Sequence, residues 1–153
     1  MFRKNGNGQA IIILVVGLVA LLAFAALAID AGNAYTAKRE AQNAADAAVL
    51  AGTRQLVIEC SYGSGASGSN ISSKIDAMAT ANNAGGDLQA YYTNDSGSRL
   101  NDDEIGNWLF VPCGCGATSA RGIEVVVEKN TTSFFGIFGA DATTKVTAKA
   151  RYA

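Results

Sequence analysis

Residues 10–29 are twenty consecutive uncharged, almost wholly apolar positions, and this run limits what the chain can fold into more than any other feature. At ~1.5 Å per residue an unbroken helix of that length measures roughly 30 Å, the thickness of a bilayer's hydrocarbon core. Arg3 and Lys4 precede the run and Asp30 ends it. The positive-inside rule then predicts a cytoplasmic N-terminus and an exported remainder. A cleaved signal peptide is one competing reading, because Ala26-Leu27-Ala28 offers small residues around a cleavage point. The run exceeds the ~7–15 apolar residues of such signals, and cleavage there would cut a helical pattern that continues. A buried helix of a soluble domain is the other reading, and ~18 or more apolar residues without a charge argue against it.

The pattern does not stop at Asp30. No proline occurs before Pro112, and residues 31–58 are alanine-rich and amphipathic. One helix is therefore predicted from about Gln9 to Ile58. Gly17, Ala20, Ala23, Ala26, Ala28 and Gly32 are spread through its first half. Small side chains let two helices approach closely in lipid, where no hydrophobic force drives them together, so these are candidate helix-packing residues. Ala34, Ala37, Ala41, Ala44, Ala45, Ala48 and Ala51 follow, interleaved with Tyr35, Val49 and Leu50. Their spacings of three and four give one narrow apolar side, which lies on the chain's own domain, on copies of the chain, or on both. The organisation this implies is a basic start or leader at 1–9, a transmembrane or filament-core helix at 10–29, an amphipathic continuation at 30–58 and an exported α+β domain at 59–153.

Within that last region, 60–70 reads as a loop and 72–82 as a short amphipathic helix, capped by Asn70 or Ser72 and stopped by Gly85-Gly86. Short strands are predicted at 88–92 and 107–111. The clearest strands come last, at 122–129 and 143–152. Ile123, Val125 and Val127 share one face of the first, and Val146, Ala148, Ala150 and Tyr152 alternate with Lys145, Thr147, Lys149 and Arg151 in the second. Acid on one strand and base on the other point to cross-strand pairs. An antiparallel sheet packed on the second half of the long helix is the expected fold.

Charge and residue usage exclude several functions. The chain has 12 basic and 13 acidic side chains and no histidine. Arg3 and Lys4 are the only charged side chains before Asp30, so the exported part is mildly acidic and carries no footprint for nucleic acid. No nucleophile elbow, phosphate loop or motif-placed acid pair occurs, so no enzyme and no cofactor are expected. Asn94, Asp95, Asn101, Asp102, Asp103 and Glu104 form an acidic loop without EF-hand spacing, which reads as a solvated turn and not a calcium site. Asn70, Asn94 and Asn130 begin glycosylation sequons of a kind that arises often by chance.

Cys60, Cys113 and Cys115 fall in the exported part, where disulfides persist. Cys113-Gly114-Cys115 is no zinc site by itself. A bridge from Cys60 to Cys113 or Cys115 would tie the helix end to the domain. A Cys113–Cys115 bridge, a link between subunits and reduced buried thiols remain the alternatives. Phe134, Phe135 and Phe138 read as the bottom of the core in preference to an exposed sticky loop.

Gly8-Gln9-Ala10, the apolar run, Ala28-Ile29-Asp30-Ala31-Gly32-Asn33-Ala34-Tyr35 and Gln42-Asn43-Ala44-Ala45-Asp46-Ala47-Ala48 together resemble the N-terminal segment of TadE/TadG-like proteins. These belong to tight-adherence (Tad, or Flp) pilus systems, within the type IV pilus superfamily. Asp30, Tyr35, Gln42, Asn43 and Asp46 are the residues that carry the motif. Thr132-Ser133-Phe134-Phe135-Gly136-Ile137-Phe138-Gly139 is more loosely similar to the tail of TadG-type proteins. The resemblance implies a pilin-like α+β fold and a structural role. It implies a single-pass inner-membrane subunit that is polymerised with copies of itself into a surface filament by a pilus assembly machinery. A membrane-anchored accessory protein that does not polymerise is the alternative. In type IV prepilins cleavage follows a glycine and the fifth mature residue is usually glutamate. Gly8 would place Ile13 there and Gly6 would place Ile11, which argues against peptidase processing.

Overall fold

A single helix, α1 (Asn7–Tyr62, 56 residues), runs through the apolar segment and on into the head in the computed structural model, which describes residues 7–63, 65–114, 117–133 and 142–152. Its length is about 84 Å at 1.5 Å per residue. The absence of proline and the wealth of alanine let it continue across Asp30 without interruption. It also passes through Cys60 to Tyr62, where a loop is predicted from sequence. Two local hydrogen bonds hold this last turn: Gln55 Nε2 donates to Glu59 Oε1 at 2.9 Å, and the Ser61 hydroxyl to the Val57 carbonyl at 2.7 Å.

The rest of the chain builds a head against the second half of α1. The strand β1 (Gly65–Ala66) pairs with β3 (Val111–Pro112), and α2 (Gly68–Ala81) lies between β1 and β2 (Asp87–Thr93) in the chain. The main sheet is antiparallel in the order β2-β4-β5, with β4 (Gly122–Thr131) central and β5 (Ala142–Arg151) at an edge. The architecture is the expected pilin-like α+β: a long apolar helix, a short second helix and antiparallel sheet.

Helix α1 packs on β4, β5 and α2. Ala41, Ala44, Ala45 and Ala48 are fully buried on the sheet side, in one cluster with Ile123, Val125, Val127 and Ala148. Alanine methyls let the helix backbone sit close to the valine-rich strands, and each buried valine or isoleucine contributes roughly 1.5–3 kcal/mol. From α2, Ile71, Ile75 and Ala79 complete the core at helical spacing. The closest approach is at Gly52, where a Cβ would lie 2.6 Å from Ile75 Cγ1 and 3.0 Å from Ile123 Cδ1.

Three local elements differ from the sequence expectation. Helix α2 starts at Gly68, ahead of both proposed caps. Ser67 is its N-cap position and makes no side-chain cap bond; its amide donates instead to Glu59 Oε2 at 2.6 Å. The helix stops at Asn82, before the glycine pair, because Asn83 takes the left-handed conformation (φ 59°) and the Ala84 amide folds back onto the Ala79 carbonyl. Residues 107–111 do not form a strand: Ile105–Asn107 is a 3-10 turn, and only Val111–Pro112 pairs, with β1.

Candidate functional site: the anchor helix and the disulfide-closed head

The apolar half of α1 stands clear of the head. Every described residue from 10 to 29 is exposed except Ala26. Its mean hydropathy over the best window is 3.1, with length enough to cross a membrane. Gly17, Ala20, Ala23, Ala28 and Gly32 all lie on this uncovered surface. A Cβ at Gly17 or Gly32 would meet nothing within 4 Å. Past Asp30 the same helix divides its residues. The alanine stripe turns into the chain's own sheet, whereas Tyr35, Gln42, Asn43, Asp46 and Leu50 point away from it. Tyr35 and Leu50 therefore do not share the buried apolar side with Val49: they are 70 % and 64 % exposed, against 3 % for Val49.

Leu50, Ile58 and Met78 instead line an open apolar groove of about 640 Å³ between α1 and α2, rimmed by Arg54 and Lys74. Tyr62, Leu109 and Phe110 are further exposed apolar residues of the head. Sequence reasoning missed both. The eight-residue spacing of Leu50 and Ile58 was the available signal for the groove; for Leu109 and Phe110 there was none, since an apolar pair before Val111 reads equally well as strand.

The head end of α1 is held covalently. Cys60, in the last turn of the helix, is bonded to Cys113 next to β3, with a Cα–Cα distance of 5.6 Å. Cys115 lies outside the described residues, as do Phe134, Phe135 and Phe138. Glu59 adds a polar clasp beside the bridge. Burial pushes its carboxyl up, but hydrogen bonds from Gln55, the Ser67 amide and Asn70 outweigh that and leave it below the usual value. The Tyr92 phenol is buried there without a hydrogen-bond partner among the described residues, edge-on to Trp108. Burial, reinforced by the charge of Glu59, raises its pKa well above that of a free tyrosine.

Two further contacts fasten the sheet along α1. Lys129 Nζ of β4 donates to Glu40 Oε2, and the Ser133 hydroxyl donates to Asp30 Oδ2 at 2.6 Å. On the opposite sheet face Glu124 accepts from Arg99 (Nη2 2.6 Å) and Lys149 (2.7 Å), while Arg99 stacks 3.7 Å over the Tyr91 ring. Lys145 pairs with Glu128 two repeats along. Asn94 and Asn101 commit their side-chain oxygens to loop amides, of Ser96 and Ser98 and of Asp103. Among the described residues no three cysteines or acids stand close enough together to hold a metal ion.

A membrane-length helix that is bare for its first half and carries a disulfide-closed α+β head on its second is the build of an anchored head domain. Residues 8–55 match the family model of Tad, the Flp pilus-assembly TadE/G-like proteins. The matched segment, about a third of the chain, and the apolar helix together fit a pilus-associated membrane protein. The match ends inside α1, and the looser likeness at 132–139 lies beyond it. No curated protein and no solved structure matches the chain.

Proposed function

We propose that the chain is a structural subunit of a Tad-type surface pilus, with its N-terminus in the cytoplasm and its head outside. In this reading the membrane-held subunit is extracted and polymerised with copies of itself through α1. The observation that carries the proposal is the division of α1: residues 10–29 are bare except for Ala26, and beyond them only one side is occupied by the head. The open positions Gly17, Ala20, Ala23, Ala28 and Gly32 leave room for a neighbouring helix to approach. Outside lipid that surface needs a partner, because apolar area in water costs on the order of 25 cal/mol per Å². The outward Tyr35, Leu50 and Ile58 extend the apolar surface beyond the bilayer. Asp30, Gln42, Asn43 and Asp46 would tune how neighbouring helices align.

A second reading is favoured by one observation. No acidic residue occurs between 10 and 29, so the core contact that a glutamate makes with a neighbour's amine in related filaments has no counterpart here. That fits an anchored accessory protein of the same machinery that does not polymerise in bulk. Mass spectrometry of sheared surface filaments separates the two. The chain as the main component supports the subunit; its retention in the membrane fraction, with filaments made of other chains, supports the accessory role.

A further inference from the structure

Helix α2 has two unlike sides. Lys74 and Met78 face the open groove on α1, where Leu50, Arg54 and Ile58 stand one helical turn apart in a row. Asp76 follows Lys74 by two residues, about 200° around the helix, and lines a small cavity on the other side together with Glu104. One side of the head is thus apolar and basic, and the other is acidic. Arg54 and Lys74 are the charged residues of the groove, and neither has an ion pair among the described residues.

The acidic side leads into an apolar projection. Asp103 and Glu104 are exposed and have no ion pair among the described residues, whereas Asp102 shares Arg99 with Glu124. The 3-10 turn Ile105–Asn107 follows, closed by the Trp108 amide on the Ile105 carbonyl at 3.1 Å. At ~2 Å per residue for the turn and ~3.4 Å for the next step, Leu109 stands within about 12 Å of Glu104. Leu109 is 95 % exposed, and Phe110, whose ring lies against Gly65, is still more than half exposed. Large apolar side chains held in water beside uncommitted carboxylates are the complement of an apolar groove rimmed by uncommitted cations.

We propose that the groove between α1 and α2 of one copy receives the 103–110 segment of the next copy, with Leu109 against Leu50, Ile58 and Met78, and Asp103 and Glu104 towards Arg54 and Lys74. The proposal rests on the subunit reading above and adds to the packing of α1 a second contact, between heads. Groove and projection are different surfaces of one head, so the contact is head-to-tail: each copy uses both, and the row stays open unless its rotation closes a ring. Two grooves facing each other would bring like charges together, as would two projections, so the charges also fix the direction of the row. The groove continues the outward face of α1, so the same neighbour that packs on the helix is in reach of it.

The test uses two differently tagged full-length copies expressed together, both with Cys115→Ser, one with Met78→Cys and the other with Leu109→Cys. Intact surface filaments are treated with a short bis-maleimide. The expected main product joins the two tags, with little of either copy linked to itself. Charge reversal is the second measurement, read as the amount of this chain in sheared filaments. Arg54→Glu with Lys74→Glu should lower it by about tenfold or more, as should Asp103→Lys with Glu104→Lys, because like charges then face each other across the contact. All four substitutions together should restore it. Filaments rich in this chain that give no mixed-tag product, or charge variants that assemble like the parent, overturn the head contact and leave packing through α1 standing. Absence of the chain from the parent's filaments overturns the subunit reading, and this proposal falls with it.

Discussion

The bridge between Cys60 and Cys113 joins residues 53 apart in sequence. Cross-linking a loop of that span removes about 14 cal/mol/K from the unfolded ensemble, or roughly 4 kcal/mol at 25 °C. Little else fixes the same two points. The ladder between β1 and β3 has two residue pairs, Gly65↔Pro112 and Ala66↔Val111. The other restraints nearby are the Ser67 amide on Glu59 Oε2 and the seating of α2, where Gly68 lies tight against the Ile105 and Trp108 carbonyls. With Cys115→Ser as the common background to prevent reshuffling, Cys60→Ser/Cys113→Ser should therefore lose about 3–4 kcal/mol. At a urea slope of ~1–1.5 kcal/mol/M for a head of this size, the midpoint falls by roughly 2–4 M. Trp108, close to the bridge in the fold and edge-on to Tyr92, reports the transition in detergent micelles. Protease should cut the variant first around 62–67 and 108–114, with the α1 alanine stripe still protected by the sheet. A midpoint within about 0.5 M of the background protein would refute the reasoning, since the helix end would then be held by packing alone.

Two further perturbations follow from the packing and the charges. Gly52→Val should destabilise the head by about 1–3 kcal/mol, because its Cβ runs into Ile75 and Ile123, whereas Gly32→Ala, in open space, should gain up to ~1 kcal/mol of helix propensity; urea midpoints of the same sign for both would count against the close approach of α1, α2 and β4. Glu124 is pushed up by burial but held below the usual carboxylate value by the stronger hydrogen bonds of Arg99 and Lys149. Its stabilisation is therefore complete above the ordinary carboxylate pKa and is lost as pH falls through the lower folded value. Glu124→Gln should cost about 2 kcal/mol at neutral pH and progressively less below about pH 4, and an undiminished difference in acid would contradict this assignment.

The elements read correctly from sequence are those with one dominant period. Twenty apolar positions without proline admit little but a helix, and the alternation of Ile123, Val125 and Val127 against Lys145 and Lys149 admits little but paired strands. The register even brings Glu124 opposite Lys149 and Glu128 opposite Lys145. What was not legible depended on tertiary partners. The extension of α1 to Tyr62 rests on side-chain bonds of Gln55 and Ser61, and the early start of α2 on the carboxylate of Glu59 taking the Ser67 amide. Leu50 shows the same limit for the candidate surface. Its neighbour Val49 is buried, and one step of 100° around the helix was enough to turn Leu50 into an open groove. The Ser133–Asp30 contact, over a hundred positions apart, has no local signal at all.

The proposed function turns on α1 packing against copies of itself, and Gly32 offers a direct handle on that packing. A Cβ there meets nothing within 4 Å, so Gly32→Leu is expected to leave the fold intact, and Ala28→Phe lies on the same uncovered surface. The measurement is the amount of this chain in sheared surface filaments for each variant, normalised to the amount in the membrane. Parental levels in the membrane and few or no filaments are expected, because bulky side chains keep neighbouring helices apart. Filaments as abundant and as rich in this chain as the parent's, for both variants, would contradict packing through α1.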